Sequence, residues 1–215
     1  MKQTRILIVD DHPLVRQALA MNLVSQKDFE ICGEAESESE ALRIAAATDP
    51  HLILVDLSLK NGHGIDLVRQ FKARDPAVKI LVVSAFEESL YGQRALRAGA
   101  EGYLNKQESQ TKLLEAVQTV LKGQRYISPE LSHTLISQGL VSRGPVQGFA
   151  DLLSNRELEV FRLIGQGHSS GAIAERLFLS RHTIDTHREN IKRKIGAKDA
   201  GELNRHAVQW VLEHG

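Results

Sequence analysis

The chain has 215 residues, 42% of them hydrophobic and 25% charged, with 27 Lys+Arg against 27 Asp+Glu. At about 100–200 residues per domain, this length makes one large domain or two small ones. The composition excludes a globally disordered or fibrous chain, and the zero net charge excludes a surface coated in basic residues, though not a local basic patch.

Cys32 is the only cysteine, so no intramolecular disulfide forms, and its apolar surroundings Phe29–Gly33 read as a buried thiol in a reducing compartment. The polar start Met1–Arg5 is followed by only four apolar residues, too few for a signal-peptide core. No stretch approaches the roughly 20 apolar residues of a membrane span, so a cytoplasmic protein is expected.

In chain order, Ile6–Val9 is a short apolar run typical of a strand buried on both faces, and Pro13 opens a helix over Leu14–Val24. The rhythm then repeats with strand Phe29–Glu34, helix Glu38–Ala47, strand Leu52–Val55 and a helix near Ile65–Arg74. It continues with strand Val78–Val83, helix Glu88–Ala98, strand Gly102–Leu104 and helix Thr111–Leu121. Five strands alternating with five helices predict a doubly wound parallel sheet.

The rhythm stops near Lys122. Ser128-Pro129-Glu130 reads as an N-cap, a proline at the first helical position and a first-turn acid, so a linker helix is expected to about Gln138, then a flexible connection to Gln147. Beyond it every signal is helical. Ser154-Asn155-Arg156-Glu157 is a capping box, Ser169 and Ser180 cap two further helices, and Asp199 with Glu202 opens a fourth. The expected division is 1–122, a linker 123–148, and an all-α unit of four helices over 149–215.

Polar residues stand where the strands of the first unit end: Asp10-Asp11, Asp56, Ser84 and Lys106. In an open parallel sheet those ends line one edge, where ligands bind. Carboxylates converging there repel one another, and a hard cation such as Mg²⁺ relieves the conflict. Lys106 adds a point charge suited to a phosphoryl oxygen. His12 and His63 flank this crevice and are weaker metal candidates beside hard oxygen ligands. Gly62 and Gly64 read as a tight turn.

Val9-Asp10-Asp11-His12-Pro13, Leu54-Val55-Asp56, Val83-Ser84-Ala85 and Gly102-Tyr103-Leu104-Asn105-Lys106 resemble a two-component receiver domain with the flavodoxin-like fold. The resemblance implies that Asp56 is the phosphoacceptor for a histidine kinase. It implies that Asp10, Asp11, Asp56 and the Ser58 carbonyl hold Mg²⁺, that Lys106 pairs with the phosphoryl group, and that Ser84 and Tyr103 are the switch residues. The chain departs from the common receiver pattern at Leu59-Lys60 and at Gln107, where many receivers carry proline.

In the second unit, two short helices joined by Phe178-Leu179-Ser180 have the helix-turn-helix form. On the second of them, Ile184, Arg188 by its stem, Ile191 and Ile195 make one stripe, which leaves His182, Asp185, Thr186, Glu189 and Arg193 opposite. Leu153 to Val160, Thr183-Ile184 and His187 through Gly196 are similar to the LuxR-type DNA-binding domain of NarL/FixJ-type regulators. The resemblance implies a DNA-reading segment Ser170 to Glu189, with contacts from Arg181, His182, Thr183, Asp185, Thr186, Glu189, Lys192 and Arg193. Arg188 and Lys194 are further phosphate candidates.

Taken together, these features lead to an expected non-enzymatic transcription factor. Phosphorylation would control dimerisation on double-stranded DNA. The rival readings are a regulator that binds only protein through its helical unit, favoured by Asp185 and Glu189, and an Asp-nucleophile phosphatase.

Overall fold

The computed structural model describes residues 3–59, 64–141 and 152–214. Lys60, Gly62 and His63 therefore lie outside the described residues. The chain divides into two compact units, Met1–Ser142 and Arg143–Gly215.

In the first unit the elements are β1 (Thr4–Val9), α1 (Pro13–Val24), β2 (Phe29–Ala35), α2 (Glu38–Thr48), β3 (Leu52–Val55), α3 (Gly64–Arg74), β4 (Lys79–Ser84), α4 (Glu88–Ala98), β5 (Gly102–Asn105), α5 (Gln110–Leu121) and α6 (Pro129–Val141). The five strands are parallel in the order β2-β1-β3-β4-β5. Side chains alternate faces along a strand. Ile6, Ile8, Leu52, Leu54, Leu81 and Val83 pack on one side with Leu23 of α1 and Leu113, Val117 and Val120 of α5. The intervening Leu7, Ile53, Val55, Ile80 and Val82 are equally buried and face the other side. Strands buried on both faces explain why each reads as a continuous apolar run. The strand order reverses direction between β1 and β3, which opens a crevice at their C-terminal ends.

Two features of this unit differ from the sequence reading. Cys32 is only partly buried. It is skipped where the β1–β2 register shifts from Ile31 to Gly33, an irregularity of the edge strand that leaves Cys32 without a partner in the ladder. The helix expected to end near Gln138 continues as α6 to Val141. Residues 142–151, which include the rest of the expected connection, lie outside the described residues.

The segment leading into α6 also lies against the sheet. Tyr103 N donates to Tyr126 O at 2.8 Å and Tyr126 N to Glu101 O at 3.1 Å, so the chain runs briefly beside the edge of β5. Ser128 N donates to Glu88 Oε1 at 3.0 Å, and Leu131 is 3% exposed. A Cβ on Gly92 of α4 would meet Leu131 Cδ2 at 2.5 Å, so the absence of a side chain there leaves room for the Leu131 side chain as it is placed.

The second unit contains α7 (Asn155–Gly165), α8 (Ser170–Arg176), α9 (Arg181–Ile195) and α10 (Ala200–His214). Phe161, Ile173, Ile184, Ile191, Leu203 and Ala207 form its core, and Phe161 meets Trp210 with ring centroids 6.0 Å apart. The capping box at Ser154 and Glu157 forms in full.

Candidate functional site

Sheet hydrogen bonding continues one residue past the strands at the crevice. Asp10 N donates to Ala35 O, Asp56 N to Val9 O and Lys106 N to Ser84 O, at 2.8–3.0 Å. The backbone that presents the acidic and basic side chains is thereby fixed by the sheet. Asp10 and Asp56 are each 1% exposed and Asp11 is buried too.

Lys106 Nζ lies 2.6 Å from Asp10 Oδ2 and 2.7 Å from Asp56 Oδ2. Burial works against the Lys106 charge, but Asp56 and Asp10 more than offset it and hold the ammonium above its ordinary pKa. Ser58 reaches Asp56 through its hydroxyl, donating to Oδ2 at 2.7 Å. His12 Nδ1 lies 3.1 Å from Asp10 Oδ1 and 2.8 Å from Asp11 Oδ1. The sequence places His12 at the rim; in the structure it bridges the two acids.

Among the described residues, three buried carboxylates thus face one ammonium. Asp56 Oδ1 is buried and has no hydrogen-bond partner among the described residues. Asp10, Asp11, His12 and Asp56 each offer a donor atom within 4.8 Å of the others. Excess negative charge and a buried oxygen without a donor are the conditions a hard divalent cation satisfies, so this donor set fits Mg²⁺.

Beside the crevice, Ser84 and Tyr103 are both buried. Tyr103 Oη donates to Phe86 O at 2.9 Å, and the Phe86 ring stacks on Tyr91 at 4.7 Å. Burial pushes the Tyr103 hydroxyl pKa far up, partly offset by the hydrogen bond it shares with Ser84. Gly64 opens α3 against the backbone of the phosphoacceptor candidate: a Cβ there would collide with Asp56 O and meet Leu57 Cα at 2.5 Å. The sequence shows Gly64 only as a turn residue, since a backbone-to-backbone contact leaves no signature in side-chain pattern. All described peptide bonds are trans, including that before Gln107.

In the helical unit, the outer face of α9 is exposed at Arg181, His182, Asp185, Thr186, Glu189 and Arg193. Arg188 is half-buried and donates to Asn204 Oδ1 at 3.2 Å. Several sequence candidates have internal partners. Thr183 belongs to the α9 cap, its Oγ1 2.7 Å from Ser180 Oγ. Lys192 Nζ pairs with Glu189 at 2.7 Å, so this acid carries its own counter-charge. Lys194 Nζ pairs with Glu157 at 2.6 Å and ties α9 to the cap of α7. Salt-bridge partners from different helices are set by packing, which the linear sequence does not display.

Comparison with known proteins agrees with both halves. Residues 6–118 match the response regulator receiver domain, and residues 151–207 match the bacterial regulatory proteins of the luxR family. The oxygen regulatory protein NreC of Staphylococcus aureus is 35% identical over 214 residues, covering 97% of this chain and 98% of the relative. The transcriptional regulatory protein DegU of Brevibacillus brevis is 32% identical over 209 residues, covering 91% and 89%. Among solved structures, one of two RcsB dimers bound to two parallel DNAs is 25% identical with a TM-score of 0.59, covering 96% of this chain and 98% of that one. The chain is a member of the two-component response regulators, with a receiver domain followed by a LuxR-type helix-turn-helix domain.

Proposed function

We propose that Asp56 accepts a phosphoryl group from a histidine kinase and that this controls dimerisation and sequence-specific binding to double-stranded DNA. The observation that carries the reading is the cluster of Asp10, Asp11 and Asp56 around the Lys106 ammonium at the strand ends. The Asp56 carboxylate attacks phosphorus, the P–N bond to the donor imidazole breaks, and its electron pair stays on that ring. Asp10, Asp11, Asp56 and the Ser58 carbonyl would hold Mg²⁺, which when bound neutralises charge developing on the phosphoryl oxygens. Lys106 exchanges its contact with Asp56 for one to the new dianion. Ser58 holds the Asp56 carboxylate in orientation from the other side.

The added charge draws on the Ser84 hydroxyl, which shares a hydrogen bond with Tyr103. Tyr103 in turn holds the Phe86 carbonyl, so the β4–α4 loop follows. Such a coupled set biases a two-state surface. In this reading residues 1–122 receive the signal, 123–148 relay it, and 149–215 read DNA through Ser170 to Glu189. The reader is a cytoplasmic homodimer when phosphorylated. Arg181, His182, Thr183, Lys192 and Arg193 supply phosphate contacts, and Asp185, Thr186 and Glu189 face the bases.

Acetyl phosphate with Mg²⁺ tests the first step. The wild-type chain is expected to take up label and Asp56→Ala none; equal labelling of the two would place the acceptor elsewhere. Release of phosphate over many turnovers would favour the phosphatase reading. Retention of genomic fragments by the labelled chain tests the second step, and failure to retain any would favour the protein-binding reading.

A further inference from the structure

The turn between α8 and α9 is tightly held. Leu177 N donates to Ile173 O at 2.9 Å, Phe178 N to Glu175 O at 3.3 Å and Leu179 N to Ala174 O at 2.9 Å. Arg156 clamps the Leu177 carbonyl at 2.9 Å, and Ser180 caps α9 through Thr183 N at 3.0 Å. On this turn Phe178 has φ of +53° and is 96% exposed.

Each of these features is unfavourable in the isolated unit. The left-handed backbone suits glycine or asparagine and is an outlier for a bulky residue. A lone exposed apolar side chain is ordinary, but a strained backbone that holds a whole aromatic ring in water is not. Strain of this kind persists where the surroundings over-determine it, commonly at binding sites. The pair Phe178 N–Glu175 O and Leu179 N–Ala174 O closes α8 and compensates its backbone, but the ring itself gains almost no burial against the described residues of the helical unit.

The turn's position names the occupant. Phe178 lies three residues before Arg181, whose exposed side chain and that of His182 open the outer face of α9. In a helix-turn-helix the N-terminal residues of the second helix meet base edges in the major groove. A ring just before them stands at the groove's edge, beside a cation that meets phosphate. The apolar surfaces of a duplex there are deoxyribose faces and thymine 5-methyl groups.

We infer that Phe178 is a DNA contact: its ring packs on an apolar patch of the duplex at the edge of the major groove and fixes the register of α9. The inference rests on the DNA-binding reading above. It assigns a role to a residue outside the charged and polar set.

The test uses the full chain, labelled with acetyl phosphate, and a duplex recovered by selection with the wild-type chain. Phe178→Gly and Phe178→Asn relieve the backbone while removing the ring. Both are expected to melt at or above the wild-type temperature and to bind about tenfold more weakly. The slope of log affinity against log salt is expected to stay unchanged, because no charge is lost. In a thymine-to-uracil duplex, a vanishing difference between wild type and Phe178→Gly assigns the contact to a methyl group. A persisting difference assigns it to deoxyribose, and both outcomes support the contact. Binding within twofold of wild type by both variants overturns the inference, as does a loss that tracks lowered melting. Intact DNA affinity with lost transcriptional output overturns it in favour of a protein occupant. A wild-type chain that selects no duplex overturns the DNA reading itself, and this inference falls with it.

Discussion

Among the described residues Lys106 is the one ammonium against the buried carboxylates of the crevice, holding Asp10 and Asp56 at 2.6 and 2.7 Å. Removing one partner of a buried pair leaves uncompensated charge and costs about 3–5 kcal/mol. Lys106→Met is therefore expected to lower the melting temperature of the receiver, and Mg²⁺ is expected to raise it more in the variant than in the wild type. Calorimetry with and without Mg²⁺ reads both, and an equal or smaller Mg²⁺ shift in the variant would refute the account. Another buried acid, Glu157, sits in the helical unit. Burial opposes its charge, but the Lys194 ammonium and the Ser154 amide outweigh burial and hold the carboxyl below its usual pKa. A lowered folded-state pKa gives stability that is present above the unfolded value, about 4.3 for Glu, and lost as pH falls through the folded one. Burial shifts neighbouring Glu159 the other way, against Arg156, so its contribution has the opposite pH dependence. Comparing wild type with Glu157→Gln cancels Glu159 and keeps the capping box, since Gln also serves at that position. The wild type is expected to be more stable by about 1 kcal/mol near neutral pH, with the advantage shrinking below about pH 4.3. Trp210, the chain's one tryptophan, lies in this unit and reports its unfolding by fluorescence; an advantage that grows in acid would reverse the sign of the argument.

At the scale of elements, α4 and α6 depend on Gly92. A methyl group there would meet Leu131 Cδ2 at 2.5 Å and Glu88 Cγ at 2.9 Å, so these two side chains must shift. Gly92→Ala is expected to lose about 1–3 kcal/mol from overpacking and to speed amide exchange around Leu131. Adding Leu131→Ala makes room for the methyl, so the double variant should lose less than the two single losses combined. Additive losses would mean that the helices do not meet in solution. This contact also marks where sequence reading stops. Strands buried on both faces announce themselves as apolar runs, caps announce themselves as Ser-x-x-Glu, and acids at strand ends follow from strand order. The docking of α6 does not, because Leu131, the one deeply buried side chain among those described in α6, makes no periodic stripe. The Gly64 approach to Asp56 and the Lys194–Glu157 pair were hidden for the same reason: each is a meeting of segments rather than a pattern within one. The Thr183 hydroxyl meets Ser180 Oγ in the α9 cap at 2.7 Å, a partner that its spacing alone does not announce.

For the whole molecule, the balance of 27 cations and 27 anions conceals how little charge the DNA reader has to spend. Within Arg181–Lys194 five basic residues stand against two acidic ones. Lys194 is committed to Glu157 and Lys192 to Glu189, while Arg188 is half-buried beside Asn204. Arg181 and Arg193 remain exposed, with Lys192 able to exchange its carboxylate for a phosphate. Such a protomer neutralises about three phosphates, which corresponds to a slope of log affinity against log salt near −2.7. A dimer on two half-sites doubles this to about −5. Arg193→Ala removes one contact per protomer, so it is expected to flatten the slope by about 1 for a monomer and about 2 for a dimer. Asp185→Ala changes no phosphate contact and is expected to alter base preference with little change of slope. Titrating the phosphorylated chain against a selected duplex over a salt series therefore counts protomers on DNA without any separate measure of mass. A flattening near 1 from Arg193→Ala at all protein concentrations would show that one copy suffices, and the dimer would have to be given up.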